Sequence, residues 1–270
     1  MPSASLTISS DPLAASFAAW RARGHTALIP YVTAGYPTKQ ETLALLSALV
    51  DGGADIIELG VPFSDPVADG PTIQRSSQIA LDQGVTLGWV LSILAEFRRT
   101  HDVPVVIFSY LNPLLSYGIE NFVRAAVQAG ALGVLVVDLP LDAEPRLEQT
   151  LEESALSLVR LLAPTTAAER GREILQRTQG FLYYVARLGV TGARADLRTT
   201  LQAEVNELRA LGSVPIAVGF GISTADQASA VGRIADGVVV GSALIDRIEQ
   251  SGIPAARAWL HELRLALNAH

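Results

Sequence analysis

Glu58, Asp65 and Asp69 bring three carboxylates into the twelve residues from Glu58 to Asp69. Glu58 stands in the short apolar run Ile56-Ile57-Glu58-Leu59, which reads as a strand buried on both faces. Side chains alternate across a strand, so Ile57 and Leu59 share one side while Ile56 and Glu58 share the other. A carboxylate there is costly unless it is paired, hydrogen-bonded or protonated. Asp65 and Asp69 follow in a proline-containing loop ahead of a helix beginning near Thr72. Asp-Pro and Asp-Gly pairs commonly shape turns. That accounts for Asp65 and leaves Glu58 unexplained.

The rest of the chain must hold these groups in place. Apolar runs predict strands over Leu28–Val32, Asp55–Leu59, Val105–Ser109, Gly133–Val137, Leu158–Leu162, Phe181–Val185, Pro215–Val218 and Gly237–Val240. Helical spacing fills the gaps, and Leu13, Phe17 and Trp20 predict an additional helix over Asp11–Arg23, ahead of the first strand. A last helix is expected over Ile253–Asn268. Eight strands each followed by a helix is the count of a closed (β/α)₈ TIM barrel, and no linker-like break divides it. The expected organisation is a flexible tail over 1–10 and a catalytic barrel over 11–270. A doubly wound sheet is the alternative, but Val32-Thr33-Ala34-Gly35-Tyr36-Pro37 is no G-x-G-x-x-G.

A barrel places its site at the C-terminal strand ends. These offer Glu58 and Asp69, then Tyr110 and Asn112, Asp138, Tyr183, Gly189-Val190-Thr191-Gly192, Gly219-Phe220-Gly221-Ile222-Ser223 and Gly241-Ser242-Ala243. The last two segments, on adjacent strands, predict a phosphate cradle of backbone amides. Gly189–Gly192 reads as a lid or as an ordinary flexible loop.

His25 and His101 precede strands, at the opposite end, and His261 and His270 lie in or after the last helix, which argues against a histidine triad or metal site. The only lysine, Lys39, starts a helix rather than standing on a strand where a Schiff base would form. Cysteine is absent, so disulfides and thiol chemistry are excluded. Carboxylates, and a tyrosine, remain to move protons. A net charge of −7 does not suit nucleic acid. No signal peptide or membrane span is read, and the expected compartment is the cytoplasm.

From about Leu28 to about Ile248 the chain resembles the α subunit of tryptophan synthase. The resemblance is carried by E-L-G-V-P-F-S-D-P-V-A-D-G-P-T-I-Q at Glu58–Gln74, with P-Y-V-T-A-G-Y-P, Y-L-N-P, L-A-P-T-T, G-V-T-G, G-F-G-I-S and G-S-A in the family's order. It implies a lyase that cleaves indole-3-glycerol phosphate into indole and glyceraldehyde 3-phosphate. Glu58 then falls on the proton-transferring acid/base, and Asp69 on the group that hydrogen-bonds the indole N–H. Tyr183 falls on the active-site tyrosine, and Gly192, Gly219, Gly221, Gly241 and Ser242 on substrate and phosphate positions. Phe108 and Phe220 would wall the indole pocket or fill core. A desolvated carboxyl with a raised pKa suits proton delivery and removal, while Asp69, in a more polar loop, is expected to stay ionised.

The resemblance also implies a pyridoxal-phosphate β subunit in an α₂β₂ assembly, with no cofactor or metal in this chain. A stand-alone lyase releasing free indole is the alternative; a degenerate binding barrel and a phosphate-binding isomerase fit the retained Glu58 and Asp69 less well. Three positions depart from the family: Ala186 where serine is usual, Arg160 inside an apolar strand, and Phe108-Ser109 before Tyr110. The segments Val61-Pro62-Phe63 with Pro66, and Pro113-Leu114-Leu115 with Tyr117, are apolar for loops and read either as a cap folded onto the barrel or as an interface; the resemblance implies that they meet the β subunit, with Asp65 as a polar contact.

Overall fold

Eight short parallel strands close into a ring in which each pairs with its neighbours in sequence and β8 returns to β1. The computed structural model describes residues 11–186, 194–219 and 221–269, with 194–199 described through their backbone alone. The expected tail over 1–10, the segment Gly189–Gly192 and Phe220 lie outside the described residues. In chain order the elements are α1 (Pro12–Arg21), β1 (Ala27–Thr33), α2 (Thr42–Asp51), β2 (Ile57–Gly60), α3 (Pro71–Asp82), α4 (Leu87–Phe97), β3 (Val105–Ser109), α5 (Leu111–Tyr117), α6 (Ile119–Gln128) and β4 (Gly133–Val136). They continue as α7 (Pro145–Glu152), β5 (Ser157–Leu162), α8 (Ala168–Gln176), β6 (Leu182–Val185), α9 (Arg194–Leu211), β7 (Ile216–Gly219), α10 (Ala225–Gly232), β8 (Gly237–Val240) and α11 (Ser242–Asn268). The expected TIM barrel and its extra N-terminal helix are both present.

The strands read as unbroken apolar runs because both faces are buried. Ile29, Ile56, Val106, Leu135, Val159 and Phe181 point inward and fill the barrel. Leu28, Ile57, Leu59, Val105, Ile107 and Val134 point outward, in the core beneath the helices.

Helix α1 belongs to the inner cluster. Leu13 and Phe17 plug the bottom of the barrel, Phe17 lying 5.4 Å from the Phe181 ring. Asp11 fixes the plug, capping α1 at the amides of Leu13 and Ala14 while accepting from Ser157 Oγ and the Gly180 amide, both at 2.6 Å. Nearby, Asp55 accepts from the Leu28 amide and from Arg264 Nη1, each at 2.8 Å, and lies 2.8 Å from His25 Nε2. His25 is thus tied into the lower rim.

Strand ends shift by one or two residues from the expected bounds, and two helices differ more. The short helix α5 was not foreseen, and α11 starts at Ser242 rather than near Ile253. A break at Gly252 (φ 76°), just ahead of Pro254, interrupts α11 and hides its first half from a periodicity reading. Arg160, the charge inside β5, faces outward. It donates to Glu148 (3.0 Å) and Glu152 (2.8 Å) of α7, beside Arg177, which bonds the same two carboxylates. Among the described residues no single helix is long and apolar enough to cross a membrane.

Candidate active site

Alternation along β2 sends Glu58 into the barrel above Ile56, where it is fully buried. Neither carboxylate oxygen has a hydrogen-bond partner. Burial pushes the Glu58 carboxyl up to about 8. Burial thus favours the protonated acid at neutral pH.

Asp69 reaches the same space from the β2–α3 loop. The buried Tyr110 holds this loop, its hydroxyl accepting from the Ala68 amide at 3.0 Å and its ring lying 5.2 Å from Phe63. Gln74 Nε2 donates to the Asp69 carbonyl at 2.9 Å, closing the loop onto the first turn of α3. Burial pushes the Asp69 carboxyl up to about 6, opposed by the Tyr110 hydroxyl. The expectation that Asp69 stays ionised at neutral pH is met by a smaller margin than a polar loop alone would give. Burial raises both carboxyls, and raises Glu58 further than Asp69.

Glu58 and Asp69 line one cavity of about 730 Å³, within the roughly 300–1,000 Å³ range of small-molecule sites. Tyr183 enters from β6, and Phe108 from β3, packed edge-on against Tyr31 at 5.0 Å. Burial first, then the Glu58 and Asp69 charges, raise the Tyr183 hydroxyl well above its ordinary value, so it remains protonated. Ile73, Leu161 and Val239 complete an apolar wall suited to a flat ring.

The other end of the cavity is made of backbone. Gly221, Ile222 and Ser223 border it after β7, and Gly241, Ser242 and Ala243 after β8. The two loops differ in which amides are free. Gln227 Oε1 accepts from the amides of Ser223 and Thr224, and Thr224 Oγ1 caps Gln227, so the start of α10 is already satisfied. Helix α11 has no side-chain cap, and Gly241 O serves only Leu244 and Ile245. Among the described residues nothing accepts from the amides of Ser242 and Ala243, and an uncapped helix start of this kind favours an anion.

The glycines separate by function. A Cβ on Gly241 would meet Tyr31 at an ordinary 3.5 Å, so a side chain fits the fold but would occupy the cradle. Gly221 has φ 81° and resists any L side chain on backbone grounds alone. Gly219 does not line the cavity. A Cβ there would overlap the Tyr183 hydroxyl, so it serves as the seat of that tyrosine. Gly241→Val is accordingly expected to raise KM for a phosphorylated substrate at least roughly tenfold in a protein of near-parental melting temperature. Glycerol phosphate titration beside a melting curve checks this; unchanged binding would remove Gly241 from the cradle.

Of the expected site residues, Glu58, Asp69, Tyr183, Phe108, Gly221, Gly241 and Ser242 meet around this cavity, while Gly192 and Phe220 lie outside the described residues. Sequence reasoning missed Tyr31 and Asp246, which also line it, and left Tyr110 without a role. Tyr31 was within reach, because alternation from Ile29 places it inward at the upper end of β1. Asp138, also at a strand end, instead accepts from the Leu111 amide at 2.7 Å and starts α5.

Comparison with known proteins decides the family. The chain matches the family model described as "Tryptophan synthase alpha chain" over residues 17–266. The chain belongs to the tryptophan synthase alpha chain family. A relative named as a tryptophan synthase alpha chain from Laribacter hongkongensis is 47% identical over 256 residues, covering 93% of this chain and 97% of the relative. Another, from Novosphingobium aromaticivorans, is 44% identical over 249 residues, covering 92% and 93%. Among solved structures, tryptophan synthase subunit alpha from Legionella pneumophila is similar with a TM-score of 0.89 at 36% identity, covering 97% of this chain and 100% of that one. A tryptophan synthase chain from M. tuberculosis, in an open form, gives 0.88 at 34% identity, covering 96% and 99%.

The positions at which this chain departs from the family's pattern are absorbed locally. Ala186 is buried at the end of β6 with its amide on Gly219 O, and the buried Ser109 donates to the Tyr110 carbonyl.

Proposed function

We propose that Glu58 and Asp69 carry the alpha reaction of tryptophan synthase in this chain, the lyase step that converts indole-3-glycerol phosphate into indole and glyceraldehyde 3-phosphate. The observation behind this reading is a fully buried Glu58 with no hydrogen-bond partner, its carboxyl raised by burial, facing Asp69 across one cavity that ends at the uncapped start of a helix. Protonation of indole C3 leaves positive charge on the ring nitrogen, which Asp69 stabilises through the N–H. Removal of the glycerol hydroxyl proton next to the ring then expels the carbon, the C–C bond electrons returning to the indole. An aldehyde forms and neutral indole leaves. Glu58 supplies the first proton and, as the carboxylate this leaves, takes up the hydroxyl proton, so it ends the cycle protonated; Tyr183 and Phe108 orient the ring, and Gly241, Ser242 and Gly221 hold the phosphate. Nothing in this sequence of steps requires a cofactor in this chain.

Asp69→Asn keeps the size of the side chain and removes its charge. It is expected to lower kcat for indole formation by roughly 100-fold, the scale of one lost electrostatic stabiliser, with an unchanged melting temperature. A variant altered only in stability would make Asp69 a turn residue.

The partner proposed is a β subunit carrying pyridoxal phosphate, in an α₂β₂ assembly. Membership of an alpha chain family disfavours the stand-alone alternative. The surface that supports docking is smaller than the sequence alone suggests. Val61, Pro62 and Leu114 are buried, whereas Leu115 (49% exposed), Tyr117 (37%) and Val67 (84%) remain open. Leu115→Glu is expected to weaken binding of a β subunit at least tenfold by titration calorimetry, an effect of the size usual for an apolar anchor, with an unchanged circular dichroism spectrum. Equal affinity would place the docking surface elsewhere.

A further inference from the structure

Among the described residues Asp246 is the one acidic side chain lining the cavity that the reaction above does not use, and it lies beside the proposed phosphate cradle. A carboxylate one turn below free amides would repel a phosphate dianion. Its position on α11, four residues after Ser242, is also too deep for the helix dipole to reward it, since that effect fades within the first turn. What Asp246 touches suggests another purpose. Thr72 Oγ1 donates to Asp246 Oδ1 at 3.0 Å, and Arg75 Nη2 stands 3.6 Å from the same oxygen while bonding Glu249 at 3.0 Å. Thr72 and Arg75 belong to the first turns of α3, and Thr72 is three residues beyond Asp69. Asp246 and Glu249 belong to the helix whose start forms the cradle.

We propose that Asp246 is a positioning residue that, through Thr72, sets the distance between the Asp69 loop and the phosphate cradle. Its charge is tolerated near the anion because Thr72 and Arg75 engage the oxygen they share. Phosphate held at Ser242 and the indole nitrogen held at Asp69 are opposite ends of one substrate, so their separation must match its length. Thr72–Asp246 is a side-chain link between the two elements that carry them, and Arg75 supports it from the outside. This rests on the assignment of Asp69 and the cradle given above.

Three variants test it: Asp246→Ala, Asp246→Asn, which keeps the acceptor Oδ1, and Thr72→Val. Indole formation is followed with and without a β subunit, and glycerol phosphate binding is measured by titration. Asp246→Ala and Thr72→Val are each expected to lower kcat about tenfold, because small misplacements of a catalytic group are costly. Glycerol phosphate binding stays within about twofold of the parent, as expected where uniform binding is untouched. Asp246→Asn retains most of the turnover. The Thr72→Val/Asp246→Ala double variant is no slower than either single one, as residues acting as a unit require. Parental kcat in both single variants, additive losses, or an Asp246→Asn that matches Asp246→Ala would overturn the proposal. Should Asp246→Ala fold poorly, Thr72→Val carries the same test, since it removes the donor and leaves α11 unaltered. Asp69→Asn is run alongside. Full turnover there removes the underlying assignment, whereas a loss there with none in Asp246→Ala and Thr72→Val removes this inference alone.

Discussion

Glu58→Gln lowers kcat by at least roughly 100-fold, the lower end for a positioned acid/base, and leaves glycerol phosphate binding intact. Glutamine matches the glutamate in size and enters the same apolar pocket, but it cannot deliver a proton. The pH dependence follows from the two raised carboxyls. Turnover requires Asp69 without its proton and Glu58 with it, so the profile rises through about 6 and falls through about 8. Stability carries a second signature of the same burial. The ordinary value of a glutamate is 4.5, and in the fold Glu58 titrates near 8. Between these values the folded chain binds more protons than the unfolded one, so this residue's contribution worsens as pH rises from about 4.5 to about 8. Glu58→Gln removes that dependence. Its melting temperature relative to the parent therefore climbs across this window, and a flat difference would mean that Glu58 is not buried as a neutral acid.

Arg160→Met has the largest expected effect on stability. Arg160 is 6% exposed, and the Glu148 it pairs with is fully buried, with Oε1 unpartnered even in the intact network. Removing the guanidinium leaves Glu148 with Arg177 Nη2 at 3.1 Å as its remaining ion pair. Breaking a buried pair from one side costs roughly 3 kcal/mol or more. Urea unfolding should show a loss of that order, and replacing both residues by methionine should restore most of it, because two apolar groups of similar size do not leave a stranded charge. A single variant as stable as the parent would show that Arg177 alone satisfies Glu148.

What the sequence revealed depended on whether a local pattern determined the answer. The grouping of Glu58 with Ile56, opposite Ile57 and Leu59, was legible because side chains alternate along a strand, but which of the two buried faces points into the barrel emerges only from the fold. The barrel itself was legible from eight apolar runs separated by amphipathic segments. The environment of Arg160 was not, because its partners Glu148 and Glu152 lie on α7 and the Arg177 carbonyl follows α8, and only the packing of these flanking helices onto the outer face of β5 shows which charges meet. Asp69 illustrates the same limit in energy rather than geometry. Its Asp-Gly-Pro setting reads as solvent-exposed loop, and only the fold reveals how far the site desolvates it. Gly219 shows a limit of motifs, because a glycine between a strand and a glycine-rich loop reads as anion-binding until Tyr183 is found lying across it.

The plug formed by α1 has a consequence for synthesis on the ribosome. Asp11 emerges early, yet its anchors at Ser157 and Gly180 lie 146 and 169 residues further along the chain. The apolar face of Leu13 and Phe17 must wait, unpaired, while most of the barrel is translated. Contacts of such long sequence separation form late and slowly. During that interval the apolar face of the N-terminal helix has no barrel interior to cover.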